Sequence, residues 1–295
     1  MRVFLTGSTG FIGSQVAREL LEAGHQVLGL TRSEEGARAL EAIGGEAHRG
    51  ELQDLPSLQR GAAQCDGVIH TAFDHRFEHF QENCEKDRQA ILALGAALEG
   101  TARPLIITSG TALGAPGPGQ LAVEEHFDPH HPMPRVASEL AGHDVLQRGV
   151  NLSVMRLSQI HDTHKQGLVT YLIALARQTG VSAYVGEGRN AWSAAHVNDT
   201  ARLYRLALEK ATPGARYHAT AESAIPFHRI AEAIGQALGL PTKPLAAQDA
   251  AAHFGWLMTF VDKDLSASSA KTRQALGWNP DGPGLIEDLL NLEPR

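Results

Sequence analysis

The sequence predicts an α/β protein, a doubly wound parallel sheet with a smaller C-terminal α/β domain. Three observations lead there. Short apolar runs alternate with helical stretches through the first half. A glycine-rich turn, residues 7–13, joins the first run to the first helix. The second half continues with amphipathic helices and shows neither an internal repeat nor a low-complexity tract.

In order, residues 3–6 read as a buried strand, 14–23 as a helix stopped by Gly24, and 26–31 as the second strand. Residues 33–43 are helical up to Gly44-Gly45, and 46–49 form a weak third strand. A short helix at 56–64, a strand at 67–71, a long helix at 82–98 and a strand at 105–109 follow. Residues 138–148 read as a helix and 152–157 as the sixth strand. Helices are then expected at 168–179, 199–209, 227–238 and 285–290. The proline- and glycine-rich segments 114–119 and 127–134 read as loops over the mouth of the sheet. The expected division is 1–160 for the sheet domain, with 195–210 returning to it, and 161–295 mainly for substrate.

A chain of 295 residues with 43% hydrophobic residues holds core material for one large domain or two linked ones. A net charge of -7 argues against nucleic acid and anionic membrane as partners. Two cysteines, Cys65 and Cys84, exclude a disulfide framework. No apolar run is long enough to span a bilayer. Met1 leads straight into a strand and leaves no room for a signal peptide. The expectation is a soluble cytoplasmic protein whose partner is a small molecule.

The glycines at 7, 10 and 13 carry a mechanism. Gly7 permits the turn, Gly10 lets backbone amides approach a pyrophosphate, and Gly13 lets the helix pack on the strand. The helix N-terminus then faces the phosphates. An ordinary strand-to-helix turn is the competing reading.

Thr6-Gly7-Ser8-Thr9-Gly10-Phe11-Ile12-Gly13 resembles the short-chain dehydrogenase/reductase superfamily. The spacing TGxxGFIG is that of its extended branch, which includes sugar-nucleotide epimerases and dehydratases. Asp54, His70-Thr71-Ala72-Phe73 and His196-Val197-Asn198-Asp199 are similar to further segments of that branch in the right order. The resemblance covers nearly the whole chain. It implies a Rossmann-type domain, a nicotinamide cofactor, and a cofactor site from Gly7, Ser8, Thr9, Gly10, Phe11, Ile12, Gly13, Thr71, Ala72, Phe73 and Ser109.

The end of the second strand chooses the cofactor. An acidic residue there holds a ribose 2′-hydroxyl, whereas arginine pairs with a 2′-phosphate. Arg32 stands there, with Ser33 beside it, so NADP(H) is expected ahead of NAD(H). Glu34 and Glu35 follow and would offset the arginine's charge.

Most members of the superfamily use a serine, and a tyrosine followed four residues later by lysine. Here Tyr171, Tyr184, Tyr204 and Tyr217 are followed at that spacing by Leu175, Gly188, Leu208 and Ala221. The tyrosine–lysine pair is absent. Ser109 matches the serine position. Two registers fill the other places: His131 and Arg135 as an HxxxR replacement, or Arg135 and Glu139 in place of tyrosine and lysine. Pro132 and Pro134 argue against His131 and Arg135 sharing a regular helix. Histidine titrates near neutrality and can donate a proton, while arginine stays charged and stabilises an oxyanion. The catalytic candidates are therefore Ser109, His131 and Arg135. Against them stand a solvated loop for His131 and an Arg135–Glu139 pair one helical turn apart.

His75, Thr111, His161, Tyr171 and Trp192 are candidate substrate contacts, since ligands in such sheets bind beyond the carboxyl ends of the strands. Plain core packing is the competing reading for each aromatic. His75 and His79 lack an HExxH glutamate and a third ligand, so no metal is expected. By analogy with relatives, helices 82–98 and 138–148 would pair in a homodimer. The expected function is NADPH-dependent reduction of a small carbonyl compound, or the reverse oxidation. A non-catalytic dinucleotide sensor and an NAD(P)-dependent epimerase or dehydratase are the alternatives.

Overall fold

The computed structural model describes residues 1–293. Its central sheet has seven strands in the order β10-β6-β5-β4-β1-β2-β3, with every neighbouring pair parallel. The elements run β1 (Arg2–Thr6), α1 (Phe11–Glu22), β2 (Gln26–Thr31), α2 (Glu34–Ala42), β3 (Glu46–Arg49), α3 (Leu55–Ala63) and β4 (Gly67–His70). Next come α4 (Phe80–Ala96), β5 (Leu105–Gly110), α5 (Val136–Gln147) and β6 (Leu152–Leu157). Strand order reverses at β1, which pairs with both β2 and β4, and that is where such sheets open a ligand crevice.

Alternation along the strands feeds two cores. Val3 and Leu5 face one layer with Ile69 and Ile106, whereas Phe4, Val68, Leu105 and Ile107 face the other. The first layer is closed by Val16, Ala17 and Leu20 of α1 and by α7 (Val197–Lys210). The second is closed by Leu58 of α3, Ile91 and Leu94 of α4, and Ala141 and Val145 of α5. Gly95 on α4 lets that helix approach α5, since a Cβ there would lie 2.5 Å from Val145.

The second half builds around β7 (Gln159–His161), α6 (Val169–Thr179), β8 (Ser182–Val185) and β9 (Ala191–His196). β10 (Arg216–Ala219) goes back to the edge of the large sheet beside β6. β11 (Glu222–Pro226) joins β9 and β7 in a three-stranded sheet, and β12 (Thr242–Leu245) pairs with β8. α8 (Phe227–Leu238), α9 (Ala247–Phe254), α10 (Met258–Val261), α11 (Ala270–Leu276) and α12 (Leu285–Leu290) complete the described chain. Val169, Trp192, Phe227, Ile230, Phe254 and Leu289 form the core of this half.

The short strands from β7 onward escaped the sequence reading because none is a clean apolar run. β10 is Arg-Tyr-His-Ala, and its polar residues are satisfied only by tertiary partners. The His196–Asp199 segment turns out to anchor the tail. Asp199 accepts from the Gly282 amide at 2.9 Å, and Trp278 Nε1 donates to Asp199 O at 2.9 Å. Among the described residues, no helix is long and apolar enough to cross a membrane.

Candidate active site

The glycine turn leaves β1 as the sequence predicts. Gly7 has φ of 70° and lies so close to the 71–72 segment that a Cβ would sit 2.8 Å from Ala72 N. At Gly13 a Cβ would sit 2.1 Å from Gly7 O, so only glycine lets α1 start this close to β1. α1 begins after Gly10 with neither a side-chain cap nor an acidic residue in its first turn. Its first amides therefore face the cleft without an internal anion, which fits a dinucleotide pyrophosphate. Ser8 is buried and donates to Leu30 O at 2.9 Å, so its hydroxyl braces the turn and any phosphate contact falls to its backbone. Thr9 is exposed. Asp54, aligned with an adenine-side segment, caps α3 by accepting from Ser57 N at 3.0 Å.

Arg32 follows β2 directly and is exposed. Ser33 caps α2 by accepting from Gly36 N at 3.0 Å, which leaves its O–H as a donor. Glu34 lies 3.4 Å from Arg49 at the end of β3. Of the two acidic neighbours expected to offset Arg32, Glu34 thus has a cation of its own.

A buried polar chain runs from the glycine turn to Arg135. Thr6 Oγ1 lies 2.7 Å from His70 Nδ1, and His70 Nε2 lies 3.1 Å from Asp87 Oδ1. Asp87 Oδ2 accepts from Ser138 Oγ at 2.6 Å and from Arg135 Nη1 at 2.9 Å. Arg135 Nη2 donates to Thr108 O at 2.8 Å, and its guanidinium stacks 3.9 Å over the Phe73 ring. Burial pushes the Asp87 carboxyl up, but Arg135, His70 and Ser138 outweigh it and hold it below the usual carboxylate range. Arg135 is thereby a cation of fixed orientation at the carboxyl ends of β4 and β5. Sequence reasoning missed Asp87, although the signal was there: it lies at helical spacing with Cys84, Ala90, Ile91 and Leu94, on the buried face of α4.

α5 starts at Val136 with Arg135 as its cap residue, and Glu139 lies in its first turn. Arg135 and Glu139 go to different partners. Glu139 Oε1 accepts from Ser109 Oγ at 2.9 Å and from Arg156 Nε at 2.7 Å. Its Oε2 accepts from Arg156 Nη2 at 2.8 Å and Arg216 Nε at 3.0 Å. Burial raises the Glu139 carboxyl, and the two arginines more than reverse this, so it stays ionised. Glu139 is thus a neutralised carboxylate with four donors on it.

His218 on β10 belongs to this network. Its Nδ1 donates to Ser268 O at 2.8 Å, and its Nε2 lies 3.4 Å from Arg156 Nη1. Burial and the Arg156 cation lower its pKa to about 4. The unfolded chain therefore binds more protons between about pH 6.5 and pH 4. The His218 contribution is complete above pH 6.5 and is lost as pH falls toward 4. Urea midpoints are expected to drop across that window, and His218→Gln to flatten the drop. An equally steep drop in His218→Gln would count against this assignment.

The other candidates separate. Phe73, His75 and Arg135 cluster, with the His75 and Phe73 rings 5.1 Å apart. Packing around the His75 ring, then the Arg135 and Lys165 cations, lowers its pKa. Lys165, which sequence reasoning missed, sits 5.6 Å over Phe11 at the start of α1. His131 lies on the rim loop, where its Nδ1 accepts from Met133 N at 3.1 Å and burial lowers its pKa. Thr111 is buried beside β6, with Oγ1 3.4 Å from Leu157 O. Tyr171 is exposed on α6 against Trp256.

Two candidate substrate contacts are corrected. Trp192 is completely buried, 4.9 Å from the Phe227 ring, because β9 is the middle strand of its small sheet. His161 is also completely buried and bonds Asp288 of α12 at 2.6 Å. Neither reaches the cleft surface. A strand aromatic cannot be assigned to core or pocket until the layer packed on it is known.

Comparison with known proteins matches these features. The family model described as NAD dependent epimerase/dehydratase family matches residues 3–219. The chain is 47% identical, over 98% of both chains, to an uncharacterized protein of Schizosaccharomyces pombe. It is 28% identical, over 86% of this chain and 80% of the other, to a 4-hydroxy-2-methyl-3-oxo-4-farnesyl-3,4-dihydroquinoline-1-oxide ketoreductase of Stigmatella aurantiaca. Its fold superposes on the dTDP-glucose 4,6-dehydratase DesIV of Streptomyces venezuelae, solved with NAD and TYD bound, with a TM-score of 0.77, 18% identity and 99% and 95% of the two chains covered. With the sheet, the glycine turn and this match over most of its length in agreement, the chain belongs to the NAD dependent epimerase/dehydratase family.

Proposed function

We propose that this protein is an NADPH-dependent oxidoreductase that reduces a small carbonyl compound, or oxidises the corresponding alcohol. One observation carries the reading. Arg135 is held by Asp87, Thr108 O and the Phe73 ring at the carboxyl ends of β4 and β5, where a carbonyl oxygen would gather charge. The bound cofactor supplies the hydride. Arg135 stabilises the oxyanion, because its N–H groups are already oriented and need no reorganisation. His75 shares the Phe73 ring with Arg135, so it is better placed than the rim-loop His131 to deliver the proton. The Stigmatella relative is named a ketoreductase, which supports reduction. Epimerisation or dehydration would call for the missing tyrosine.

NADP over NAD rests on Arg32, exposed after β2 with Glu34 drawn to Arg49. Calorimetry on Arg32→Ala is expected to show NADPH binding weakened by about 10- to 100-fold, the scale of a hydrogen bond to a charged group, with NADH binding retained. Equal affinity for both cofactors in the wild type would remove the NADP assignment.

A dinucleotide sensor without turnover is the second reading. It draws on Glu139, whose four donors leave no proton-transfer group at the lysine position. Tight NADPH binding with no oxidation of NADPH across a panel of aldehydes and ketones would favour it.

A further inference from the structure

Arg135 gives its charge to Asp87, and Arg76 gives its own to Asp74. Lys165 differs. Among the described residues no carboxylate pairs with its ammonium, and its named partner is the Phe11 ring, 5.6 Å away. The side chain is exposed, yet the loop between β7 and α6 that carries it is fixed. Asp162 N donates to Lys165 O at 2.9 Å. Asp162 Oδ1 accepts from His164 N at 2.8 Å and from Lys165 N at 2.7 Å, and Gln166 Nε2 donates to Asp162 O at 2.8 Å. The nearest carboxylate in sequence is thus turned onto the backbone of its own loop, and the lysine stem leaves that loop toward α1. Phe11 is the first residue of α1, whose first turn holds no acidic residue. His75 feels the charge of both Arg135 and Lys165, which places the two cations in one cleft. An exposed cation–π contact is weak, about 0.5–1 kcal/mol, and leaves the three N–H donors of the ammonium for a ligand. On a chain of net charge -7, an uncompensated cation at this mouth is what would draw an anion in.

We propose that Lys165 is a specificity-determining residue that pairs with a carboxylate of the substrate, and that the substrate is an oxo acid. Its carbonyl oxygen meets Arg135 while its carboxylate meets Lys165. One uncompensated cation matches one negative charge, and the first amides of α1 are left for the dinucleotide. Lysine suits the task because a point charge on a flexible stem follows a carboxylate without a fixed fork geometry. This inference rests on the carbonyl-reductase reading and narrows its substrate.

The test uses acetoacetate and levulinate, each beside its methyl ester, with NADPH, on the wild type, Lys165→Met and Lys165→Arg. An exposed side chain on a loop held by its backbone can be changed without loss of the fold. The wild type is expected to favour at least one acid over its ester by about tenfold in kcat/KM. In Lys165→Met that ratio is expected to fall to about one, through KM with kcat retained, and in Lys165→Arg to persist. Added salt is expected to shrink the wild-type ratio. A wild-type ratio near one for both acids, or a ratio unchanged in Lys165→Met, would overturn the inference. Weakened NADPH binding in Lys165→Met with an unchanged acid preference would place the ammonium on the cofactor's pyrophosphate and overturn the substrate assignment. Saturation-transfer NMR of the same acids and esters on the NADP⁺-bound protein reads the contrast without turnover. Absent turnover with a binding contrast that Lys165→Met abolishes would reject the reductase reading and keep the carboxylate subsite. Absent turnover with no binding contrast would reject both.

Discussion

Arg135→Ala is expected to lower kcat/KM for carbonyl reduction by about 10²- to 10³-fold, the loss seen when an oriented oxyanion donor is removed. The size of the effect follows from the way the cation is held. Its side chain is 12% exposed, stacked on Phe73 and tied to a buried carboxylate, so its field acts in a poorly screened site. Arg135→Lys is expected to recover only part of the activity. An ammonium cannot reach Asp87 and Thr108 O together while stacking on the ring. Cofactor affinity separates the explanations: NADPH binding by calorimetry should stay close to wild type in Arg135→Lys. A joint collapse of binding and turnover would make Arg135 a support of the cofactor site and remove the oxyanion role.

Glu139→Gln is expected to destabilise the fold by about 3–5 kcal/mol, because it strands the charge of Arg156 in the core. Both side chains are completely buried. The remaining partners of Arg156 are the Val123 and His126 carbonyls and His218, which are neutral. Urea unfolding followed by fluorescence measures the change. A loss below about 1 kcal/mol would mean the pair is relaxed by water. Glu139→Lys is expected to be worse still. It would place a third cation against Arg156 and Arg216.

Much of the site was legible because local chemistry demands it. Gly7 and Gly13 are required, the first by a turn at positive φ and the second by a contact that no side chain survives. Arg135 stood out in either register, since it is the basic residue both alignments share. Pro132 and Pro134 told against a helix through His131, and α5 begins only at Val136. Arg156 also carried a signal, as a charge inside the apolar strand Leu-Ser-Val-Met-Arg-Leu. What it pairs with could not be read, because Glu139, Arg216 and His218 come from three other elements.

By itself, then, the sequence determined the sheet, the dinucleotide turn, the cation after β2 and the absence of a tyrosine–lysine pair. All of these are set by residue type, by spacing within one element or by the φ a turn requires. The tertiary structure alone decided which way protons and charges point. Ser109 could have faced a ligand as a donor, Arg135 could have paired with Glu139, and Trp192 and His161 could have lined the cleft. Each outcome depends on residues 27 to 127 positions away, brought close by the crossover of strands and by the returning tail. A buried charge settles on the partner that best offsets its lost hydration, and only the folded chain determines which partners are within reach.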